Sequence, residues 1–134
     1  CQFEVGSQAT PFEHRSWGEE LALCQRYYQR SYSYGTANGT TTSTGAIMTS
    51  CAVTQNYASP GTIRFPVQMR TTPTITVYSA QTGTSGKINA DTVDGNGTTY
   101  GANENGTMFY RNNDSSGVVV NAFLRCHYVA EAEL

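Results

Sequence analysis

Residues 118–129, VVVNAFLRCHYV, constrain the fold of this chain more than any other stretch. Read with a two-residue period, Val118, Val120, Ala122, Leu124, Cys126 and Tyr128 fall on one face of a strand. Val119, Asn121, Phe123, Arg125, His127 and Val129 fall on the other. Both faces are partly apolar, so the strand is expected to be central in a sheet or covered by a neighbouring subunit. The same period recurs in TIRFPVQM (62–69), where Ile63, Phe65, Val67 and Met69 alternate with Thr62, Arg64, Pro66 and Gln68. Pro66 suits an edge or a bulge. Shorter candidate strands lie near 45–55, 73–79, 86–93, 98–102 and 107–111. Turn chemistry separates them at Asn38-Gly39, Asn96-Gly97, Asn105-Gly106 and RNNDSSG. Many short strands and frequent turns predict an all-β fold, an antiparallel β-sandwich of jelly-roll type.

One segment departs from this pattern. Ser16 followed by Glu19 is a capping box, which predicts a helix start. Leu21, Cys24 and Tyr28 then form an apolar stripe, with Glu19, Glu20, Arg26 and Arg30 mostly off it. A short amphipathic helix is expected from Trp17 to about Gln29, lying on the sandwich. Residues 1–15 read as an extended arm and 16–134 as one domain, since 134 residues suffice for a single core.

Composition excludes several functions. Only 13% of residues are charged and the net charge is −2, so no basic stripe exists for nucleic-acid phosphates. No apolar run approaches the roughly 18–20 residues of a membrane helix, so no membrane insertion is expected. Cys1, Cys24, Cys51 and Cys126 have spacings too wide for a zinc knuckle or ribbon. They read as small buried side chains, a Cys24–Cys126 disulfide being the alternative. TGTSGKI (82–88) has Gln81 where a phosphate loop needs its first Gly and Ile88 where it needs Ser or Thr. DTVDGNG (91–97) offers Asp91, Asp94 and Asn96 as oxygen ligands but lacks calcium-loop spacing, and reads as a hairpin turn. His14 and His127 sit in no nucleophile or metal motif and read as hydrogen-bonded structural residues. Carboxylates are scattered, so no glycosidase pair can be nominated. No catalytic residue, metal ligand or cofactor is assigned, and the chain reads as a non-enzyme.

The aromatic run YYQRSYSY places Tyr27, Tyr28, Tyr32 and Tyr34 together; it reads first as core or subunit-interface packing, the alternative being stacking on sugar rings, which flat tyrosine faces do as readily. Tyr27 and Tyr28 are expected to be buried by the helix, leaving Tyr32 and Tyr34 as candidate ligand contacts. Asn38, Asn96 and Asn113 join them from the polar tips at 38–44, 82–87, 94–99 and 112–116.

FEVGSQATPFEHRSWGEELALCQRYYQ (3–29) resembles a segment of tail-fibre, tail-spike and related virion proteins of tailed bacteriophages and prophages. In that family EVG..ATPFE closes an upstream lectin-like sandwich and GEELALCQRYY opens a small C-terminal β module. The ending RCHYVAEAEL (125–134) is similar to the ends of such modules. The resemblance implies a homotrimeric virion module on the extracellular phage particle, with residues 1–15 as a connector and the helix as a plug. Its partners would be other virion proteins and a host-surface glycan. The alternatives are a capsid-decorating or assembly module without sugar binding, and a carbohydrate-binding module of a secreted bacterial protein.

Overall fold

The computed structural model describes residues 15–51, 58–112 and 122–133. Helix α1 (Trp17–Gln25) leads into β1 (Tyr28–Arg30) and β2 (Ile47–Ser50). Strands β3 (Ala58–Arg64), β4 (Thr74–Ser79), β5 (Lys87–Ala90), β6 (Val93–Asn103), β7 (Gly106–Asn112) and β8 (Phe123–Glu131) follow. The expected arm, apart from Arg15, and the first residues of the expected last strand, 118–121, lie outside the described residues.

All strand pairings are antiparallel, in the order β1-β8-β5-β6-β7-β3, with β2 and β4 also bonded to β8. β8 is the spine. β1 and β4 pair with its C-terminal half, and β2 and β5 with its N-terminal half, so both of its edges are bonded. The sheet curls until β3, at its far end, contacts β2 and β8. One sheet thus supplies both layers of an all-β, sandwich-like fold. Between the layers Phe65, Met69, Val77, Ile88, Phe109, Cys126 and Tyr128 form the main core, and Leu124 packs with Cys51, Ala58, Ala90 and Ala122 in a smaller one.

The two-faced pattern of the last strand has a cause within the chain. Leu124, Cys126 and Tyr128 point into the core, while His127 and Val129, on the opposite face, are also buried. Residues 31–46, between β1 and β2, are tied to that face: Tyr32 stacks on the His127 ring, and the Thr42 carbonyl bonds it. Only Phe123 is left exposed there among the apolar described residues.

In 62–69 the alternation holds, with Phe65 and Met69 buried, Ile63 and Val67 half-buried, and Thr62, Arg64, Pro66 and Gln68 exposed. The strand itself ends at Arg64, however. Beyond it the Phe65 and Met69 N–H groups donate to the Asn105 and Glu104 carbonyls, so this segment hooks over the β6–β7 turn and keeps its apolar residues inward. Pro66 therefore lies past the strand.

Several expectations are corrected, on the helix end, its apolar stripe, the Asn96-Gly97 turn and the strand over 86–93. The helix ends at Gln25, and Tyr28 belongs to a strand. A buried side chain helps stop it, because Gln29 Nε2 donates to the Gln25 carbonyl (2.9 Å) and the Val67 carbonyl (2.6 Å). No residue of α1 is buried, so Leu21 is half-buried and Cys24 exposed, and no packed apolar stripe exists. Cys24 and Cys126 are free thiols, as the preferred reading has it, and Cys51 and Cys126 are buried, while Cys24 is exposed; burial pushes the Cys126 thiol up to about 12. Asn96-Gly97 is no turn but the middle of β6. A Cβ on Gly97 would come 2.6 Å from Ile88 Cγ1, so glycine is there for close packing. The turn of that hairpin is Asp91-Thr92, with Asp91 at φ 52°, which splits the strand expected over 86–93.

Candidate functional site

A groove of about 700 Å³ lies between α1 and β1. Leu21, Cys24 and Gln25 line it from the helix, Tyr28, Gln29 and Arg30 from β1, Tyr32, Ser33 and Tyr34 from the following loop, and Pro66 and Tyr128 from across the fold. β1 alternates outward, inward, outward, which buries Gln29 and puts Tyr28 and Arg30 on the same side.

A hydrogen-bond network shapes the rim. Arg30 Nη1 donates to the Thr36 carbonyl (2.8 Å) and to Asn38 Oδ1 (3.1 Å), and Nη2 donates to the Ser33 carbonyl (3.3 Å). Asn38 Nδ2 donates in turn to the Tyr28 hydroxyl at 3.1 Å. Asn38 is followed by Gly39 at φ 79°, so the expected turn here is formed.

The tyrosines follow the sequence expectation at Tyr34 alone and reverse it at Tyr27, Tyr28 and Tyr32. Tyr32 is only 4% exposed, whereas Tyr34 is 81% exposed and Tyr28 38%. Tyr27 is exposed as well, beside the Arg70 guanidinium. The Tyr32 ring lies 4.0 Å from that of His127, stacked, and edge-on to Tyr78, and its hydroxyl accepts the Gly39 N–H at 3.1 Å. Desolvation raises its pKa. Tyr32 is thus a floor residue, and the surface ring paired with Tyr34 is Tyr28.

The remaining candidates are elsewhere. Asn96 Oδ1 accepts from Lys87 Nζ at 2.7 Å on the β5–β6 hairpin and does not line the groove. Asn113 lies outside the described residues.

Two further polar clusters have closed bonding. His127 Nε2 contacts the Thr42 carbonyl at 2.9 Å, so this nitrogen carries the proton, and Nδ1 accepts from the Ser31 hydroxyl at 2.8 Å. Ser31 Oγ also accepts the Tyr128 N–H at 3.0 Å. A serine on a histidine suggests a nucleophile and base. Here, however, the ring is fully buried under Tyr32, and both of its nitrogens are engaged without a carboxylate. It pins residues 31–46 to β8. Burial lowers the His127 pKa, with the Thr42 carbonyl opposing.

The second cluster surrounds Asp94. Ser79 Oγ (2.7 Å) and Asn89 Nδ2 (3.0 Å) donate to Oδ1, and the Thr82 hydroxyl donates to Oδ2. Burial alone would raise this carboxyl, but these donors and the Lys87 charge outweigh it and hold the pKa below its ordinary value. Asp91 accepts the Phe123 N–H instead (2.9 Å), so Asp91, Asp94 and Asn96 face different partners. Among the described residues no three His, Cys, Asp or Glu side chains are placed to hold a metal ion, and no helix is long and apolar enough to cross a membrane.

Sequence reasoning misses Tyr28 and Arg30 because the Leu21, Cys24, Tyr28 stripe extends the helix on paper to Gln29; a two-residue period begun at Tyr28 pairs them. Comparison of the chain with protein-family models, with curated proteins and with solved structures finds no match.

Proposed function

We propose that this chain is a non-catalytic attachment module of a phage virion, the C-terminal β module of a fibre or spike, that binds a host-surface glycan in the groove beside α1. The observation that carries the binding role is the pair of accessible tyrosines, Tyr34 and Tyr28, at the rim of a concavity of ligand size. Flat rings cover the apolar faces of sugars, and the fixed polar rim supplies hydrogen bonds that set orientation. The virion placement rests on the resemblance of residues 3–29 and 125–134 to fibre modules. Recognition at a loop-built rim on a rigid sheet suits that role.

A homotrimer fits this reading. Phe123 and Met48 are 58% and 56% exposed. Met48 pairs with Arg125, which makes it a diagonal neighbour of Phe123 on the same outer face, an apolar contact for another chain. That patch also favours a second reading, a capsid-decorating or assembly module that contacts other virion proteins and no sugar.

The experiment is binding of the purified chain to bacterial surface polysaccharide, with mass by light scattering. The expected result is an assembly of about three times 14.5 kDa. It should bind polymer without shortening it, and Tyr34→Ala should weaken binding about three- to tenfold with an unchanged melting curve. Shortened polymer would mean an enzyme. Assembled protein that binds virion proteins and no polysaccharide would establish the second reading.

A further inference from the structure

We infer, resting on the glycan reading of the groove, that the sugar it takes is acidic, with an anionic substituent docked on Arg30. Among the described residues, Arg30 is the only charged side chain lining the groove. Its three acceptors, the Thr36 and Ser33 carbonyls and the Asn38 amide oxygen, are all neutral, so they fix the guanidinium plane without neutralising its charge. They also leave Nε–H and one Nη2–H without an acceptor among the described residues. A guanidinium edge of this kind matches a carboxylate, sulfate or phosphate group through parallel N–H···O bonds.

The placement matters as much as the charge. Asn38 bridges Arg30 to the Tyr28 hydroxyl, so the cation and one accessible ring are held by one side chain. A ring that stacks on a sugar face and a cation that takes its charged substituent together recognise one acidic monosaccharide unit. Glu131 stands opposite Tyr28 in the β1–β8 register but does not line the groove. The chain as a whole is negative, so long-range attraction does not favour an anion, and selectivity must come from this local contact.

The test uses wild-type protein with polygalacturonate and with the same polymer after chemical reduction of its carboxyl groups, dextran and dextran sulfate serving as a second pair. The acidic member of at least one pair should bind about tenfold more tightly than its neutral partner, and the advantage should shrink as salt rises. A preference confined to one pair identifies carboxylate or sulfate as the group. Arg30→Gln should abolish the preference, and Arg30→Lys should restore only part of it. Because Arg30 also ties the loop, both variants are compared by melting curve, and the wild-type polymer pairs decide the matter if either variant unfolds. Equal binding of acidic and neutral members overturns the inference and leaves the glycan reading standing. Binding of none of these polymers, nor of host polysaccharide, overturns both. Polyglutamate bound as tightly as the acidic polysaccharide, with Tyr34→Ala without effect, would mark a generic anion site and overturn the acidic-sugar assignment.

Discussion

Helix α1 and strand β8 differ in how they are held. α1 carries the strongest local signal in the chain, a complete capping box in which Ser16 Oγ accepts the Glu19 N–H at 3.3 Å and Glu19 Oε2 accepts the Ser16 N–H at 2.9 Å. Yet none of its residues is buried, and among the described residues the one strand it touches is β1. β8 has no cap, but it is hydrogen-bonded on both edges and buries every residue from Cys126 to Ala130. Local backbone chemistry decides where an element starts; removal of apolar surface from water decides how much the fold depends on it. A lightly held helix beside a rigid spine also suits a groove wall, since α1 forms one side of the site and β8, through Tyr128, its floor.

The largest expected effects test that contrast directly. Leu124→Ala removes the largest apolar side chain of the smaller core cluster and should cost about 2–5 kcal/mol in denaturant unfolding. Leu21→Ala, on a half-buried helix position, should cost less than about 1 kcal/mol. Equal losses would make α1 a core element and break the comparison.

Gly97 extends it to β6. With Ile88 Cγ1 only 2.6 Å from where an alanine Cβ would stand, Gly97→Ala should cost about 1–3 kcal/mol by overpacking. Combined with Ile88→Ala, which removes Cγ1, it should cost less than the sum of the two single losses, a coupling expected of contacting residues. Additive losses would show that Gly97 serves backbone conformation.

This position also shows why parts of the molecule are illegible in the sequence. An Asn-Gly pair signals a turn or a close approach, and only the partner across the sheet, Ile88, tells which. The faces of 62–69 can be read because apolar alternation survives the departure of the chain from the sheet after Arg64, whereas the strand's end depends on bonds to Asn105 and Glu104, distant in sequence. The same holds at the site. A polar, aromatic run is enough to place Tyr34 and Asn38 on the surface, but it puts Tyr32 there too, because nothing local reveals that His127 waits beneath it. Nor does composition predict that Gln29, a polar residue, would be the buried member of YYQR, capping a helix carbonyl with its amide.

A smaller effect concerns pH. Burial, the dominant cause, puts the His127 pKa below the 6.5 of an exposed imidazole, against the pull of the Thr42 carbonyl. The unfolded chain therefore takes up this proton first as pH falls. Stability from the neutral ring is intact above about 6.5 and declines from there toward the lower folded-state value. Asp94 works in a separate window, its contribution being present above 3.8 and lost below it. Urea midpoints across pH should show two declines, and His127→Asn should remove only the upper one. A flat profile between about pH 7 and 5 would mean that the ring is not held neutral.

The smallest global effect is expected at the cap. Ser16→Ala deletes the hydroxyl that accepts the Glu19 N–H, and loss of such a cap weakens a helix by about 1 kcal/mol. The Glu19 carboxylate loses a partner as well, since the Ser16 backbone and side-chain hydrogen bonds, in that order, hold its pKa below the ordinary value. Because α1 buries no residue, its fraying need not propagate into the sheet. Amide exchange should therefore accelerate within α1, while protection on β8 and the global unfolding midpoint stay where they were. If Ser16→Ala instead lowers the midpoint by as much as it speeds exchange in α1, the helix and the sheet unfold as one unit, and the groove wall is as firmly built as its floor.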